Sequence, residues 1–291
     1  MSSVFVFPGQ GAQSVGMGRE LYETNAAARA VFDAVDDALN QKLSDIIFNG
    51  SMDELTLTAN VQPAIMATSI AMLRASNVAL PEYVAGHSLG EYTALCAAGA
   101  ISLADTARLL RIRGNAMQAA APVGSGLTAV VLGLDVPTLN EICAGKNCSV
   151  ANDNCPGQVV VSGARADVES VLELAKGAGA RRAMPLALSV PVHCAMQSPA
   201  ADAMRAALES VEIHAPTAKF ISNKTADVMT DVNEIRESLA YQMTHGVRWR
   251  ESVLRMADLG ITDMIEVGPG NVLTGLAGRI TDKINAKKLE F

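Results

Sequence analysis

The sequence predicts an α/β protein whose mainly parallel sheet is interrupted by a small inserted subdomain. In the outer parts of the 291-residue chain, short β-rich runs alternate with helical patterns, an order typical of parallel sheets covered on both faces. Residues 124–189 instead follow the order strand, helix, strand, strand, helix, strand, which is that of a ferredoxin-like module. We therefore predict a main subdomain formed by 1–123 and 190–291, and an inserted subdomain at 124–189.

The N-terminal part supplies the first half of the main subdomain. A β-rich run stops at Pro8-Gly9, a dipeptide that favours a tight loop. Further along, Leu110, Arg113 and Met117 recur at helical spacing, which places Arg113 on an inward face. The elements predicted here are a strand at 3–7, helices at 17–23, at 26–40 and from about 63, a strand at 82–88 with a helix directly after it, and a helix at 102–120.

The remaining elements follow from the same two periodicities. The clearest is an amphipathic helix at 166–179, which has apolar residues at helical spacing. The inserted subdomain is predicted to contain strands at 127–134, 148–153, 158–163 and 181–190, and helices at 135–145 and 166–179. The last part is predicted to contain strands at 217–222 and 262–268, and helices at 232–244, at 249–259 and from about 271.

Composition and charge exclude several classes of protein. Hydrophobic residues make up 49% of the chain, which is too many for a disordered protein. Thirty acidic residues against 23 basic ones, with no long basic run, disfavour binding to nucleic acid or to an anionic membrane. Five cysteines and an N-terminus without a basic region predict reduced thiols, no secretory signal and a cytoplasmic location. We expect no bound metal and no cofactor.

The strongest chemical signal is Gly86-His87-Ser88-Leu89-Gly90. A G-x-S-x-G sequence between a predicted strand and a predicted helix is typical of a nucleophile elbow, a sharp turn that exposes a serine hydroxyl. The start of the following helix offers unpaired N–H groups that can stabilise an oxyanion. Ser88 is therefore the predicted nucleophile.

A nucleophilic serine needs a base, and His193 is the best placed of the four histidines. It follows the strand that returns from the inserted subdomain, where a cleft between two subdomains should open. No aspartate is placed to orient it, so another acceptor for the second ring N–H is needed. A buried Arg113 would either form an internal salt bridge or bind a substrate carboxylate.

Seven motifs follow in order along the chain: Phe7–Gln13, Gln62–Ala64, Gly86–Tyr92, Arg113-Gly114, Asn152–Gln158, Pro191–His193 and Glu266–Gly270. Together they resemble the malonyl-CoA:acyl carrier protein transacylase family, the acyltransferases that load bacterial fatty-acid synthesis, and the similarity runs from about residue 3 to residue 282. The resemblance implies an α/β-hydrolase-like core with a ferredoxin-like insertion. It also implies ping-pong transfer from malonyl-CoA to an acyl carrier protein. Cys155 and Val192 depart from the residues common in the family.

The same resemblance implies a role for each matching residue. Ser88 would carry the acyl group and His193 would be its base, while Arg113 would hold the malonyl carboxylate. The remaining roles would be oxyanion-hole N–H groups from Gln10 and Leu89, a carbonyl from Gln242 that orients the imidazole, and a lining of the thioester and pantetheine approach by Gln62, Asn154 and Gln158.

Three alternatives stay open at this stage. A serine hydrolase or thioesterase would use the same elbow and base with water as the acceptor. A non-catalytic scaffold would keep the fold, although intact Ser88, His193 and Arg113 argue against it. The chain could also load malonyl groups for a malonate decarboxylase or a polyketide system.

Overall fold

A computed structural model describes residues 2–122 and 124–290 of the chain. Three residues lie outside the described part: Met1 and Val123, the two ends of the predicted segment 1–123, and Phe291, the last residue of the segment 190–291. The strands are β1 Ser2–Phe7, β2 Tyr83–Gly86, β3 Gly126–Leu132, β4 Cys148–Cys155, β5 Gln158–Ala164, β6 Arg182–Pro185, β7 Lys219–Ile221, β8 Val228–Met229, β9 Ile261–Glu266 and β10 Asn285–Lys288. The helices are α1 Arg19–Thr24, α2 Ala26–Leu39, α3 Leu43–Asn49, α4 Met52–Thr56, α5 Thr58–Ser76, α6 Gly90–Ala97, α7 Leu103–Ala120, α8 Val136–Cys143, α9 Arg165–Gly177, α10 Ser198–Glu209, α11 Val232–Tyr241, α12 Trp249–Asp258 and α13 Val272–Ile280.

The larger sheet is mainly parallel, as the alternating pattern predicts. Its strand order is β10-β9-β1-β2-β7-β8, and only the β7–β8 pair is antiparallel. The central strands are apolar because both of their faces are covered: Val4, Phe5, Val6 and Phe7 of β1 are all buried. Since parallel strands end at the same edge, the residues that follow β1 and β2 meet at one edge of the sheet.

The second sheet is antiparallel and separate from the first. Its order is β4-β5-β3-β6, and α9 packs on β3, β5 and β6 while α8 packs on β4. It has a hydrophobic core of its own, which includes Val131, Leu139, Val161, Val171 and Leu172. The predicted combination of a mainly parallel sheet with a distinct small sheet is therefore confirmed.

Some elements differ from the prediction. Helix α5 begins at Thr58 and not near Pro63, because the Leu57 carbonyl accepts the N–H groups of Asn60 and Val61 and closes the first turn before the proline. The strand predicted at 181–190 ends at Pro185, since proline cannot donate to a sheet. The elements that the prediction lacked are the helix α10, of twelve residues, and four elements of seven residues or fewer: α3, α4, β8 and β10.

Candidate active site

Ser88 occupies the sharp turn that the motif predicts. It lies between the end of β2 at Gly86 and the start of α6 at Gly90, and its φ of 55° is in the left-handed region, which is strained for a non-glycine residue. A Cβ on Gly86 would lie 1.9 Å from the backbone of Gly90, and one on Gly90 would lie 2.2 Å from the Phe7 carbonyl oxygen. The two glycines are therefore required by close backbone contacts, which hold the serine side chain at the turn.

Asn223, directly after β7, holds this turn from the other side. Its Oδ1 accepts the Ser88 N–H at 2.9 Å, and its Nδ2 donates to the Gly86 carbonyl at 2.7 Å. The side chain is 1% exposed. A strained turn persists only where surrounding contacts fix it, and the paired Asn223 bonds are such contacts.

His193 lies within hydrogen-bond distance of the serine. Its Nε2 is 2.8 Å from Ser88 Oγ, and its Nδ1 is 2.5 Å from the Gln242 carbonyl oxygen. A carbonyl oxygen can only accept, so Nδ1 carries the proton and Nε2 is left free to accept the serine hydroxyl proton. The pair has the geometry of a nucleophile and its base, with a main-chain carbonyl in the position of the third group.

The environment keeps His193 neutral. Burial, followed by the nearby Arg113 cation, lowers the pKa of His193 to about 3, although the bond to the Gln242 carbonyl opposes this shift. Because a histidine with a lowered pKa stays unprotonated above that value, the ring is a free base throughout the neutral range. An anion bound to Arg113 would offset the effect of that cation, so the pKa of His193 would rise and the ring would be a stronger base.

Arg113 is buried directly beneath the serine, as its position on the inward face of α7 predicts. Its Nη2 donates to Ser88 Oγ at 3.2 Å and to Gln242 Oε1 at 2.6 Å, and its Nη1 donates to Gln62 Oε1 at 2.7 Å. Its Nε has no hydrogen-bond partner in the described part of the chain. Three of its five N–H groups are thus bonded to neutral side chains, and the N–H of Nε and one of Nη1 remain for an acceptor.

A cleft of about 120 Å³ opens above the serine between the two sheets. Polar groups at its base come from Gln10, His87, Ser88, Asn154 and His193. The apolar residues of the lining come from β5, from the segment that follows β6 and from α13: Val160, Leu186, Leu188, Val192, Val272, Leu273 and Leu276. Such a cleft suits a ligand with an apolar arm and a polar reacting end.

The structure places four of the nine predicted site residues in the cleft lining, namely Gln10, Ser88, Asn154 and His193, while Arg113 and Gln242 contact this group directly. Asn154 lies at its base, 3.0 Å from His87 Nε2. Gln10 also lines it, and Leu89 is buried beside the serine. Within residues 2–122 and 124–290, no acceptor bonds the backbone N–H of Gln10 or Leu89.

Gln62 and Gln158 neither line the cleft nor form a hydrogen bond with Ser88 or His193. Gln62 is fully buried and contacts Arg113 and the sulfur of Met117. Gln158 accepts a hydrogen bond from Arg279 at 2.5 Å and so connects β5 to α13. These positions favour a supporting role for Gln62 and Gln158 over direct contact with a ligand.

Two residues of the site, Asn223 and Glu91, were not predicted from the sequence pattern. Glu91 is fully buried and accepts hydrogen bonds from the Asn223 N–H and from Gln242 Nε2. Glu91 lies in the first turn of α6, where an exposed glutamate is also favourable because it interacts with the helix dipole. The sequence therefore does not distinguish a buried glutamate from an exposed one at this position. Asn223 follows a strand of only three residues.

The described residues lack two features that would indicate other kinds of function. Among residues 2–122 and 124–290, no three His, Cys, Asp or Glu side chains are grouped so that they could hold a metal ion. In the same ranges, no helix combines the length and apolar character needed to cross a membrane.

Comparisons with known proteins agree with this geometry. Residues 4–288 match the model of the acyl transferase domain. The malonyl CoA-acyl carrier protein transacylase of Bacillus subtilis is 45% identical over 96% of this chain and 90% of its own length. The crystal structure of the acyl-carrier-protein-S-malonyltransferase from Bartonella henselae has 50% identity and a TM-score of 0.96, over 99% of this chain and 95% of that one.

A third relative was solved with a partner. It is a malonyl-transacylase in complex with its type II PKS acyl-carrier protein, 38% identical with a TM-score of 0.96, covering 99% of this chain and 96% of that chain. The agreement extends over nearly the full length of each protein. The chain therefore belongs to the acyl transferase domain family and, within it, to the malonyl-CoA:acyl carrier protein transacylases.

Proposed function

We propose that the chain transfers the malonyl group of malonyl-CoA to the pantetheine thiol of an acyl carrier protein through a malonyl-serine intermediate. One observation carries the proposal: Ser88 Oγ contacts both His193 Nε2 and Arg113 Nη2. The first contact makes the hydroxyl a nucleophile, and the second puts a fixed cation beside any acyl group that the serine receives. Malonyl differs from acetyl by the carboxylate that such a cation would bind.

The first half-reaction forms the malonyl ester of Ser88 and needs no groups beyond those of the site and malonyl-CoA. His193 Nε2 takes the proton of Ser88 as its oxygen attacks the thioester carbonyl, and backbone N–H groups of Gln10 and Leu89 stabilise the oxyanion. The carbon–sulfur bond then breaks, and the CoA thiolate receives the proton from His193. The product is a malonyl ester on Ser88 and free CoA.

The second half-reaction reverses these steps with a different thiol. The carrier's pantetheine thiol gives its proton to His193 and attacks the ester carbonyl. The bond to Ser88 breaks and the serine oxygen regains the proton. Throughout, Arg113 would hold the malonyl carboxylate and so fix the ester for attack by the thiol.

The supporting residues receive more limited roles. Gln242 would orient the imidazole through its carbonyl, and Gln62 would hold Arg113 from below. Asn154, at the base of the cleft, would contact the thioester or pantetheine arm, as the resemblance implies. We assign Gln158 to the rim of the path by which the pantetheine arm enters, where its hydrogen bond with Arg279 joins β5 to α13.

The division of the chain supports this proposal. We assign 1–123 and 190–291 to an α/β-hydrolase-like catalytic subdomain and 124–189 to a ferredoxin-like insertion. The strand order β4-β5-β3-β6, the packing of two helices on this sheet and a separate core support the second assignment. Five free cysteines and a CoA substrate fit the cytoplasmic location that the sequence predicts.

A serine hydrolase is the alternative that uses the same residues. We expect malonyl transfer to a holo acyl carrier protein to exceed release of free malonate, because the apolar cleft and Arg113 favour the thiol over water. The measurement follows malonyl-carrier and free malonate in one reaction, with and without the carrier. Release of malonate at the same rate in both arms would favour the hydrolase.

A further inference from the structure

Glu91 is a buried carboxylate that the proposed acyl-transfer steps do not use. One of its oxygens accepts the Asn223 N–H at 2.6 Å, and the other accepts a short hydrogen bond from Gln242 Nε2. No ion pair joins it to a Lys or Arg in the described part of the chain. Burying a carboxylate without a cation costs folding free energy. The role of Glu91 therefore lies in the side chains that it holds in place.

The side-chain amide of Gln242 connects Glu91 to Arg113. Its Oε1 accepts from Arg113 Nη2 at 2.6 Å, while its Nε2 donates to Glu91 and to the Ser88 carbonyl. A guanidinium only donates and an ionised carboxylate only accepts, so both charged groups impose the same orientation on the amide. The main-chain carbonyl of the same residue holds His193.

We propose that Glu91 is a positioning residue, whose carboxylate fixes the Gln242 amide and thereby holds Arg113 where it can meet a carboxylate on the acyl group of Ser88. The inference rests on the proposed function and names a specificity determinant for it. The intervening amide also keeps the Glu91 charge away from the guanidinium. A direct ion pair would occupy the donors that the malonyl carboxylate needs.

The ionisation of Glu91 supports the proposal. Burial raises the pKa of Glu91 to about 7, against the lowering effect of its hydrogen bonds and of the Arg113 cation. The polar and charged groups that face it from its own and the surrounding elements are Tyr92 of α6, Arg113 of α7, Ser222 and Asn223 after β7, and Gln242 after α11. Because the pKa is raised, the carboxylate keeps its charge above about pH 7 and loses it as the pH falls.

The test compares malonyl-CoA with acetyl-CoA as donors for acylation of Ser88 in the Glu91→Gln variant. At pH 8 the malonyl rate should fall by roughly 10- to 100-fold, the effect of losing a hydrogen bond to a charged group, while the acetyl rate changes far less. In the unmodified protein the ratio of malonyl to acetyl rates should decline as the pH falls through about 7. In Glu91→Gln this ratio should be independent of pH.

Two further variants separate positioning from stability. The first is the double variant Glu91→Gln with Gln242→Glu, in which an amide at 91 again faces a carboxylate at 242, so the Tm should recover. The carboxylate at 242 would pair directly with Arg113, however, and the malonyl rate should therefore stay low. Asp36→Asn is the matched control: Asp36 is a buried carboxylate on α2 that accepts from the N–H and hydroxyl of Ser44. It should lower the Tm and leave the malonyl-to-acetyl ratio unchanged.

Equal losses for the two donors in Glu91→Gln would overturn the inference, and so would a malonyl rate that recovers together with the Tm in the exchange variant. An unmodified protein that forms no malonyl ester on Ser88 would instead refute the proposed function. The two failures are therefore distinguishable in one set of measurements.

Discussion

Replacing His193 with Ala should slow the acylation of Ser88 by malonyl-CoA about 100- to 10,000-fold, the range expected for loss of a positioned general base. The ring is the only group in hydrogen-bond contact with Ser88 Oγ, within the described residues, that can take its proton, because Arg113 can only donate. Single-turnover measurement of acyl-enzyme formation gives the rate without any contribution from the carrier thiol.

His214→Ala is the matched control, because this histidine is exposed and its side chain lies near Glu212, away from the cleft. It should acylate at the unmodified rate. With acetyl-CoA, the unmodified protein should also keep a constant acylation rate from pH 8 down to about 5, since the pKa of His193 is lowered to about 3. A His193→Ala rate within a fewfold of the original would place the base elsewhere.

Replacing Arg113 with Ala should lower kcat/KM for malonyl-CoA by about 30- to several-thousand-fold. Loss of one partner of a buried, bidentate charge pair costs roughly 2–5 kcal/mol, which converts to that range. Acetyl-CoA has no carboxylate to lose, and removal of the cation relieves one cause of the lowered pKa of His193. The acetyl reaction should therefore be unchanged or faster.

Two further variants test whether the effect depends on the guanidinium of Arg113 itself. Arg113→Lys should resemble Ala, because a single ammonium cannot reproduce the two-pronged geometry of the guanidinium. Arg108→Ala removes an exposed arginine of the same helix, paired with Asp105, and should change neither substrate. Similar losses for malonyl and acetyl in Arg113→Ala would mean that the arginine supports the helix behind Ser88 and does not choose the acyl group.

The residues that sequence could locate are those with a local signature. Ser88 is marked by a turn between strand and helix, and Arg113 by helical periodicity that leaves a charge on an inward face. His193 is marked by its position at the return from the insertion. For Ser88 and Arg113, a feature within a few residues of the side chain determines where it lies, whereas His193 is marked by the order of the elements before it.

The residues that sequence could not locate depend on contacts between distant segments. Gln242 orients His193 through a main-chain carbonyl, which every residue possesses, so only the resemblance pointed to it. Asn223 and Glu91 meet through a bond that spans 132 positions of the chain. Elements such as β10 escaped because a short, lysine-rich strand at a sheet edge lacks the alternating pattern of a half-buried strand.

The most direct test of the account is the intact mass of the protein after mixing with malonyl-CoA and again after addition of a holo acyl carrier protein. We predict a gain of one malonyl group on Ser88, its complete absence in Ser88→Ala, and its transfer to the carrier in the second step. A malonyl group found on a cysteine, or a serine adduct that the carrier thiol cannot remove, would contradict the central claim.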